Sequence, residues 1–476
     1  MTGGKRMWDF KQFGDRTALL DAKGRAVSYA QLEQEGEAIA HRIGKRCLVF
    51  LMCTNQIASA LGYFGFLSHS IVPVLLNANM DRGMLEHLLE TYHPSYLWMP
   101  EEKAGQFRGF QAVYRAYSYA LLQTGYGIGY PMHGELGLLL TTSGSTGSPK
   151  LVRQSYGNIC SNARAIAQYL ALDESERPIT TLPMNYTYGL SILNSHISVG
   201  ASILLTDASL MQKAFWDFMR DAGATSFGGV PYTYEMLDKL HFFEMELPKL
   251  RYMTQAGGKL SPGLHKKFAE YALETGKKFI VMYGQCEATA RMGYLPAERT
   301  LEKCGFMGIA IPGGKFTLLD EGGMAVTEPY VTGELLYEGD NVTLGYAECG
   351  EDLSKGDERH GRLLTGDMAQ FDEEGYYYIV GRKKRFLKVY GNRMNLDEIS
   401  IMLKQQFGNM ECAVGGVDDH VCIFVTESGK EAEIRNFLAD KTKLNKRAFQ
   451  VVQLEEIIKN DAGKVLYQEL EKYRPK

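Results

Sequence analysis

The chain has 476 residues, too many for a single hydrophobic core, so two or more domains are expected. Charged residues make up 23% and hydrophobic residues 45%, the balance of a soluble globular protein, and a net charge of −4 gives no basis for a nucleic-acid or acidic-membrane surface. The eight cysteines show no CxxC pair and no metal-ligand spacing, and the opening "MTGGKRMWDF" lacks the apolar stretch of a signal peptide, which together point to reduced thiols in a cytoplasmic protein.

In chain order, the first notable segment is Cys47 to Met80, which carries no Asp, Glu, Lys or Arg. It is long enough to suggest a membrane span. Polar residues at 54–56 and 68–70 and Pro73 interrupt it, however, and a better parse is strand 48–53, helix 56–67, strand 71–76: a βαβ unit buried on both faces. "MLEHLLETYH" then has helical spacing and "SYLWM" is strand-like. The apolar run "LGLLLTT" precedes an amphipathic helix, "ICSNARAIAQYLAL". The alternation continues through "GLSILNSHISVG", "ASILLT", "LMQKAFWDFMRDAG", "ATSFGGVP", "LRYMTQAGG", "PGLHKKFAEYALETG" and "KFIVMYG". Strands alternating with helices over some 250 residues predict an α/β fold with largely parallel sheets, its site at the carboxyl ends of strands. Past Pro312, "KFTLLD", "GELLYEG" and "MAQFDEEGYYYIVG" are short strands between Gly- and Asp-rich turns, which predicts a small β-barrel or meander. Beyond Gly381 a basic patch, "RKKRFLKVYG", leads into a small α+β domain.

Behind the strand "LGLLLTT" lies "TSGSTGSPK". Backbone N–H groups at glycine and hydroxyls of Ser and Thr can converge on an anion, with a lysine supplying charge. Taken alone, the stretch reads as a flexible Gly/Ser connection rather than a phosphate cradle. It is no Walker loop: Gly144 and Gly147 are too close, Pro149 precedes the lysine, and "KLVRQS" looks extended rather than helical.

The string resembles the phosphate-binding signature of the adenylate-forming superfamily, which comprises acyl-CoA synthetases, nonribosomal peptide adenylation domains and luciferases. Four further boxes resemble that family in order: "YGQCEATARM" (283–292), "GELLYEGDNVTLGY" (333–346), "LLTGDMAQFDEEGYYYIVGRKKRFLKVYGNRMNLDEI" (363–399) and "KNDAGKVLY" (459–467). The resemblance covers nearly the entire chain. It implies a large N-terminal domain (1–381) of two α/β subdomains plus a small β-barrel, a hinge at 382–385, and a mobile C-terminal lid (386–476).

The implied reaction joins a carboxylic acid to AMP with loss of pyrophosphate, then passes the acyl group to a thiol, either CoA or a carrier-protein phosphopantetheine. ATP and Mg²⁺ would be required. Transfer to an amine and a non-catalytic nucleotide-binding descendant are the alternative readings. By the same resemblance Thr142, Ser143, Gly144, Ser145, Thr146, Gly147 and Lys150 would hold the β- and γ-phosphates, and Glu287 would ligate Mg²⁺. Tyr283 would stack on adenine, with Gly257, Gly258 and Gly284 lining the nucleotide. Asp367 would accept from the ribose hydroxyls and Arg382 would bind ribose or phosphate. Lys384 falls at the hinge, Gly391 beside the thiol's entry channel, and Lys464 at the position of the adenylating lysine. Cys286 replaces the threonine usual in its box, which weakens the expectation of a hydroxyl contact there.

Acid specificity is expected between "LPMNYTYGL" and Glu287. Tyr186 would gate the acyl pocket, and Thr187 stands where amino-acid-activating relatives keep an aspartate. An unpaired buried ammonium is costly, so an α-amino acid is disfavoured. Phe227, Gly228, Gly229 and Val230 are expected to form another pocket wall, with the two glycines leaving room.

Overall fold

The computed structural model describes residues 8–127, 129–141, 150–408, 410–459 and 465–475. The chain divides into two compact units: residues 1–315 with 337–363, and residues 316–336 with 364–476.

Two mixed sheets build the first unit. One runs in the order Gly345–Ala347, Leu151–Ser155, Leu136–Thr141, Val72–Asn77, Leu48–Cys53, Tyr96–Pro100, Tyr119–Gln123, Gln111–Ala116. Its middle strands pair in parallel and its flanks antiparallel. The other has nine strands; the stretch from Lys278–Gln285 through Tyr252–Gln255, Ser226–Gly229, Pro178–Ile179 and Ile203–Leu205 to Thr17–Asp21 is parallel. Antiparallel strands, Ala290–Tyr294 and Ala26–Ser28, flank that stretch.

The charge-free segment is a strand, helix and strand at Leu48–Cys53, Ile57–Ser68 and Val72–Asn77. Every residue from Ile57 to Leu67 is buried, in a core that includes Leu19 and Ile203 of one sheet and Val49 and Leu138 of the other. Full burial of side chains such as Leu61, Phe64 and Phe66 stabilises by roughly 1.5–3 kcal/mol each. That burial explains the helix's composition, and no helix among the described residues is long and apolar enough to cross a membrane. The helix meets its neighbour Tyr29–Ile43 at a pair of glycines: a Cβ on Gly36 would lie 2.9 Å from the Cα of Gly65, so the two backbones touch there.

In the second unit, residues 316–336 and 364–382 contribute to a five-stranded sheet. Where the sequence predicts a barrel or meander, its terminal strands Ala325–Val326 and Tyr377–Arg382 are not paired with each other among the described residues. A hairpin (Phe386–Val389 with Asn392–Asn395) follows, then a three-stranded sheet, Cys412–Val417, His420–Val425 and Phe449–Gln453. Helices Leu396–Gln406 and Glu431–Thr442 contribute Ile399, Leu403, Ile434 and Leu438 to its core, which gives the expected small α+β arrangement.

Candidate active site

Strands Leu136–Thr141 and Leu151–Ser155 pair antiparallel, with Thr141 opposite Leu151, so the Gly/Ser/Thr segment joins two neighbouring strands rather than a strand and a helix. That agrees with the sequence argument against a Walker loop. Thr142, Ser143, Gly144, Ser145, Thr146 and Gly147 lie outside the described residues, and so does Lys464; the flanking Lys459 and Val465 form an antiparallel bridge.

Lys150 is described, and its surroundings have a local cause. Leu151–Ser155 pairs with Gly345–Ala347, Tyr346 opposite Val152, which brings Tyr346 beside the lysine. Lys150 Nζ sits 3.8 Å from the centroid of the Tyr346 ring and 3.3 Å from Glu348 Oε1. Tyr346 donates its hydroxyl to Glu287 Oε1 at 2.7 Å, and the Arg359 guanidinium stands 4.6 Å from the same ring. Burial and the Glu287 carboxylate push the phenol up to about 12, which keeps it a hydrogen-bond donor at neutral pH. The predicted phosphate lysine and the predicted metal carboxylate therefore share one aromatic ring. Neither Tyr346 nor Arg359 was singled out from the sequence, although Tyr346 lies inside a box that resembles the family.

The backbone carrying Glu287 is strained and pinned. Cys286–Ala288 forms a single 3₁₀ turn, after which Thr289 (φ 52°) and Ala290 (φ 96°) take left-handed conformations. Such positions cost on the order of 1–3 kcal/mol each and persist where surrounding contacts dictate them. Those contacts are present. Thr343 and Arg359 donate to the Glu287 carbonyl, Asn341 to the carbonyls of Ala288 and Arg291, and Asn162 to that of Arg291. Gly284 is required by close approach, because a Cβ there would fall 1.6 Å from the Ala290 carbonyl oxygen.

Next to this turn is a cavity of about 30 Å³ lined by Tyr186, Thr187, Tyr188, Ala256, Gly257, Tyr283, Gly284, Ala290 and Arg291. The sequence-selected Tyr186, Thr187, Gly257, Tyr283 and Gly284 thus meet at one place. Gly257 has φ +84°, and a Cβ on it would lie 2.6 Å from the Tyr186 hydroxyl. Gly258 packs against Pro231 beside that wall, its carbonyl accepting from Gln255 Nε2 at 2.9 Å.

The second predicted wall is different. Phe227, Gly228, Gly229 and Val230 are not among the cavity's lining residues. Phe227 packs on Tyr234 and Phe242 in the core, with ring centroids 6.4 and 5.8 Å away. The room that Gly228 leaves is taken by Tyr188 and Ile192, and that of Gly229 by Thr233 and Tyr234. These glycines admit side chains of the protein; at Gly228 the occupant, Tyr188, is itself a lining residue.

The charged residue among those lining the cavity is Arg291, which the sequence reading did not select and whose signal was only its place four residues past Glu287. It is 2% exposed. Nε donates to Ser191 Oγ at 3.0 Å, and Nη1 to Tyr169 Oη at 3.0 Å and Met282 Sδ at 3.3 Å. The Tyr188 ring lies 5.2 Å away.

In the second unit, Asp367 and Arg382 face each other across the antiparallel pair Arg362–Phe371 and Tyr377–Arg382. Asp367 is buried, and Arg382 Nε lies 3.1 Å from its Oδ1. Lys384 is in the short 3₁₀ turn Lys383–Arg385; only its backbone is described. Gly391 (φ +85°) follows Tyr390 (φ 49°) in the two-residue turn of the hairpin, and two successive positive φ values favour glycine there irrespective of any channel.

The AMP-binding enzyme family matches over residues 7–347. A 2-succinylbenzoate–CoA ligase of Bacillus cereus is 30% identical over 343 residues, 70% of this chain and 69% of that protein. A second one, from B. cereus strain ZK, is 27% identical over 483 residues, 96% of this chain and 95% of its own length. The O-succinylbenzoate coenzyme A synthetase of Bacillus subtilis, solved with AMP, superposes with a TM-score of 0.79 at 21% identity, with 97% of each chain covered.

Proposed function

The chain belongs to the AMP-binding enzyme family, and on that premise we propose that it is an AMP-forming acid–thiol ligase. In the first step a carboxylate oxygen attacks the α-phosphorus of ATP, the bond to the bridging oxygen breaks, and pyrophosphate leaves. In the second a thiolate attacks the acyl carbon and AMP departs. CoA is the acceptor we infer, since the ligases it resembles in sequence carry CoA in their names; a carrier-protein phosphopantetheine is the variant of the same chemistry.

The observation that carries this reading is the Lys150–Tyr346–Glu287 arrangement beside the Tyr283 cavity. A cation against the ring and a carboxylate at its hydroxyl suit a magnesium–triphosphate. Glu287 offers hard oxygen donors, one of them already oriented by the Tyr346 hydroxyl, which fits an ion that takes one or two carboxylates and fills its shell with phosphate oxygens and water. Bound there, the ion would neutralise triphosphate charge. Lys150 would add a point charge for the departing phosphates, and the resemblance assigns the base to Tyr283, with Gly257, Gly258 and Gly284 beside it. The resemblance assigns ribose to Asp367 and Arg382, the hinge to Lys384 within 382–385, the thiol's entry to Gly391 and the adenylating cation to Lys464. Domain limits of 1–381 and 386–476 belong to the same proposal.

The test is pyrophosphate release and hydroxamate trapping over a panel of acids, with and without CoA or a phosphopantetheinylated carrier. ATP- and Mg²⁺-dependent release, with acyl-AMP discharged by a thiol, is expected. Discharge only by amines would replace the acceptor, and silence with every acid would revive a non-catalytic nucleotide binder. Lys464→Ala should lower carboxylate-dependent pyrophosphate exchange by roughly 10²–10³, the cost of one preorganised charge in a transition state. It should leave thioester formation from presynthesised acyl-AMP largely intact, and equal loss of both half-reactions would refute the assignment.

A further inference from the structure

Strand Leu151–Ser155 is buried at every position, yet its central residue, Arg153, is charged. The arginine side chain is 0% exposed. Replacing a buried ion pair with apolar residues of similar volume is often neutral or stabilising, so stability alone is a weak reason for a guanidinium here. What a guanidinium does bring is five N–H donors in a rigid fork. Each of them has an acceptor. Nε donates to the Tyr346 carbonyl at 2.9 Å, Nη1 to the carbonyls of Lys355 and Gly356, and Nη2 to the Leu344 carbonyl at 3.2 Å and to Glu358 Oε2.

All five acceptors belong to one excursion of the chain. Leu344 and Tyr346 stand at its start and Lys355, Gly356 and Glu358 at its end, so one side chain ties the two ends together. The start carries Tyr346. The end runs directly into Arg359, which donates to the Glu287 carbonyl at 3.1 Å and stands against the Tyr346 ring. Backbone bonds close the same base: the Leu344 N–H donates to the Arg153 carbonyl and the Glu358 N–H to the Leu344 carbonyl, each at 2.9 Å. A second observation is independent of these bonds. Gly345 stands opposite Arg153 in the strand pair with φ +129°, and a Cβ there would fall 2.4 Å from Glu358 Oε2 and 3.0 Å from Arg153 Nη2. The residue before Tyr346 thus gives up its side chain to admit the ion pair.

We propose that Arg153, with Glu358 as its counterion, is a positioning residue for the magnesium–triphosphate site: it fixes the backbone of Tyr346 so that the hydroxyl meets Glu287 and the ring meets Lys150. This rests on the reading of Lys150, Tyr346 and Glu287 as that site. A carboxylate that ligates a metal takes its orientation from the groups hydrogen-bonded to it, and loss of such a partner costs about 10- to 100-fold in metal affinity. Tyr346 is that partner, and its phenol aims at Glu287 Oε1 only while its backbone is held. With all five donors of Arg153 taken up by residues 344–358, none is left for a phosphate, so the arginine acts through that segment.

The experiment measures ATP binding to the full chain by calorimetry, once with Mg²⁺ and once with EDTA, alongside the unfolding temperature. In the wild type Mg²⁺ should tighten ATP. Arg153→Met should remove most of that gain, weakening ATP in Mg²⁺ by about 10- to 100-fold while its affinity in EDTA stays within about threefold of wild type. Arg153→Lys should fall between, and Glu358→Gln should act in the same direction. In a Tyr346→Ala background Arg153→Met should cost no more than about threefold further, because the ring and hydroxyl it positions are gone. A merely structural arginine would lower the unfolding temperature and weaken ATP equally with and without Mg²⁺, and its effect would add in full to that of Tyr346→Ala; either result overturns the proposal. Should Arg153→Met fail to fold, Arg153→Lys and Glu358→Gln make the same comparison. A wild type indifferent to Mg²⁺ removes the reading of the site together with this inference, whereas a responsive wild type with unchanged variants refutes the inference alone.

Discussion

At the scale of single residues, Tyr346 has two separable uses. Its hydroxyl orients Glu287, and its ring face carries Lys150 and Arg359. Tyr346→Phe removes the first and keeps the second. A hydrogen bond to a charged group contributes about 1.5–3 kcal/mol, so adenylation should slow by roughly 10- to 100-fold, with the Mg²⁺ requirement shifted to higher concentration. Tyr346→Ala also removes the cation–π surface, a further ~0.5–2 kcal/mol, and should raise KM for ATP as well. If the alanine variant is no worse than the phenylalanine one in an ATP and Mg²⁺ titration, the ring has no part in holding the triphosphate.

Among elements, the turn Cys286–Ala288 shows how far pattern reading extends. It is held by a segment fifty residues later: Asn341 reaches the Ala288 and Arg291 carbonyls and Thr343 the Glu287 carbonyl. Asn341→Ala would take the side-chain donor from the Ala288 carbonyl at about 1–3 kcal/mol and leave the Arg291 carbonyl to Asn162 alone, and Thr289 and Ala290 would lose a reason to stay left-handed. We expect a lower unfolding temperature and a larger loss in kcat than in ATP affinity, since Asn341 acts on the backbone just past Glu287 and makes no hydrogen bond to Tyr283 among the described residues. An unchanged kcat in a folded variant would mean the turn does not need this clamp. None of it was legible in the sequence. Hydrophobic period and Gly/Pro punctuation located Leu48–Cys53, Ile57–Ser68 and Lys278–Gln285 because those signals are local. The family resemblance supplied Tyr186, Thr187, Gly257, Tyr283 and Gly284, which the fold brings to one cavity. Partners such as Tyr346, Asn341 and Arg291 depend on which strands neighbour one another, and spacing carries no record of that. Gly228 and Gly229 show the same limit: a missing Cβ says that something comes close, and only the fold shows that Tyr188 and Thr233 do.

For the molecule as a whole, the first unit carries an acid sensitivity built from two buried histidines. His196 Nδ1 meets the Ile192 carbonyl at 2.8 Å, so that nitrogen must hold the proton, and Nε2 accepts from Tyr252 Oη at 2.8 Å. His265 has the opposite tautomer, Nε2 donating to the Thr300 carbonyl at 2.9 Å and Nδ1 accepting from the Gly305 N–H at 3.2 Å. Burial lowers His196 from 6.5 to about 3 and His265 to about 4. Between those values and pH 6.5 the unfolded chain binds more protons than the folded one, so stability rises with pH across that window and is lost as pH falls below about 6.5. Each histidine contributes up to about 1.4 kcal/mol per pH unit there. All three tryptophans, Trp8, Trp98 and Trp216, belong to the first unit, so their fluorescence follows its unfolding without a signal from the other. The urea midpoint read this way should hold from pH 8 to 7 and then drop steadily toward pH 5, with His265→Gln showing a shallower decline. A midpoint that stays level down to pH 5 would mean the histidines are protonated in the folded protein, at odds with their burial and with the Gly305 N–H, which needs an acceptor nitrogen on His265.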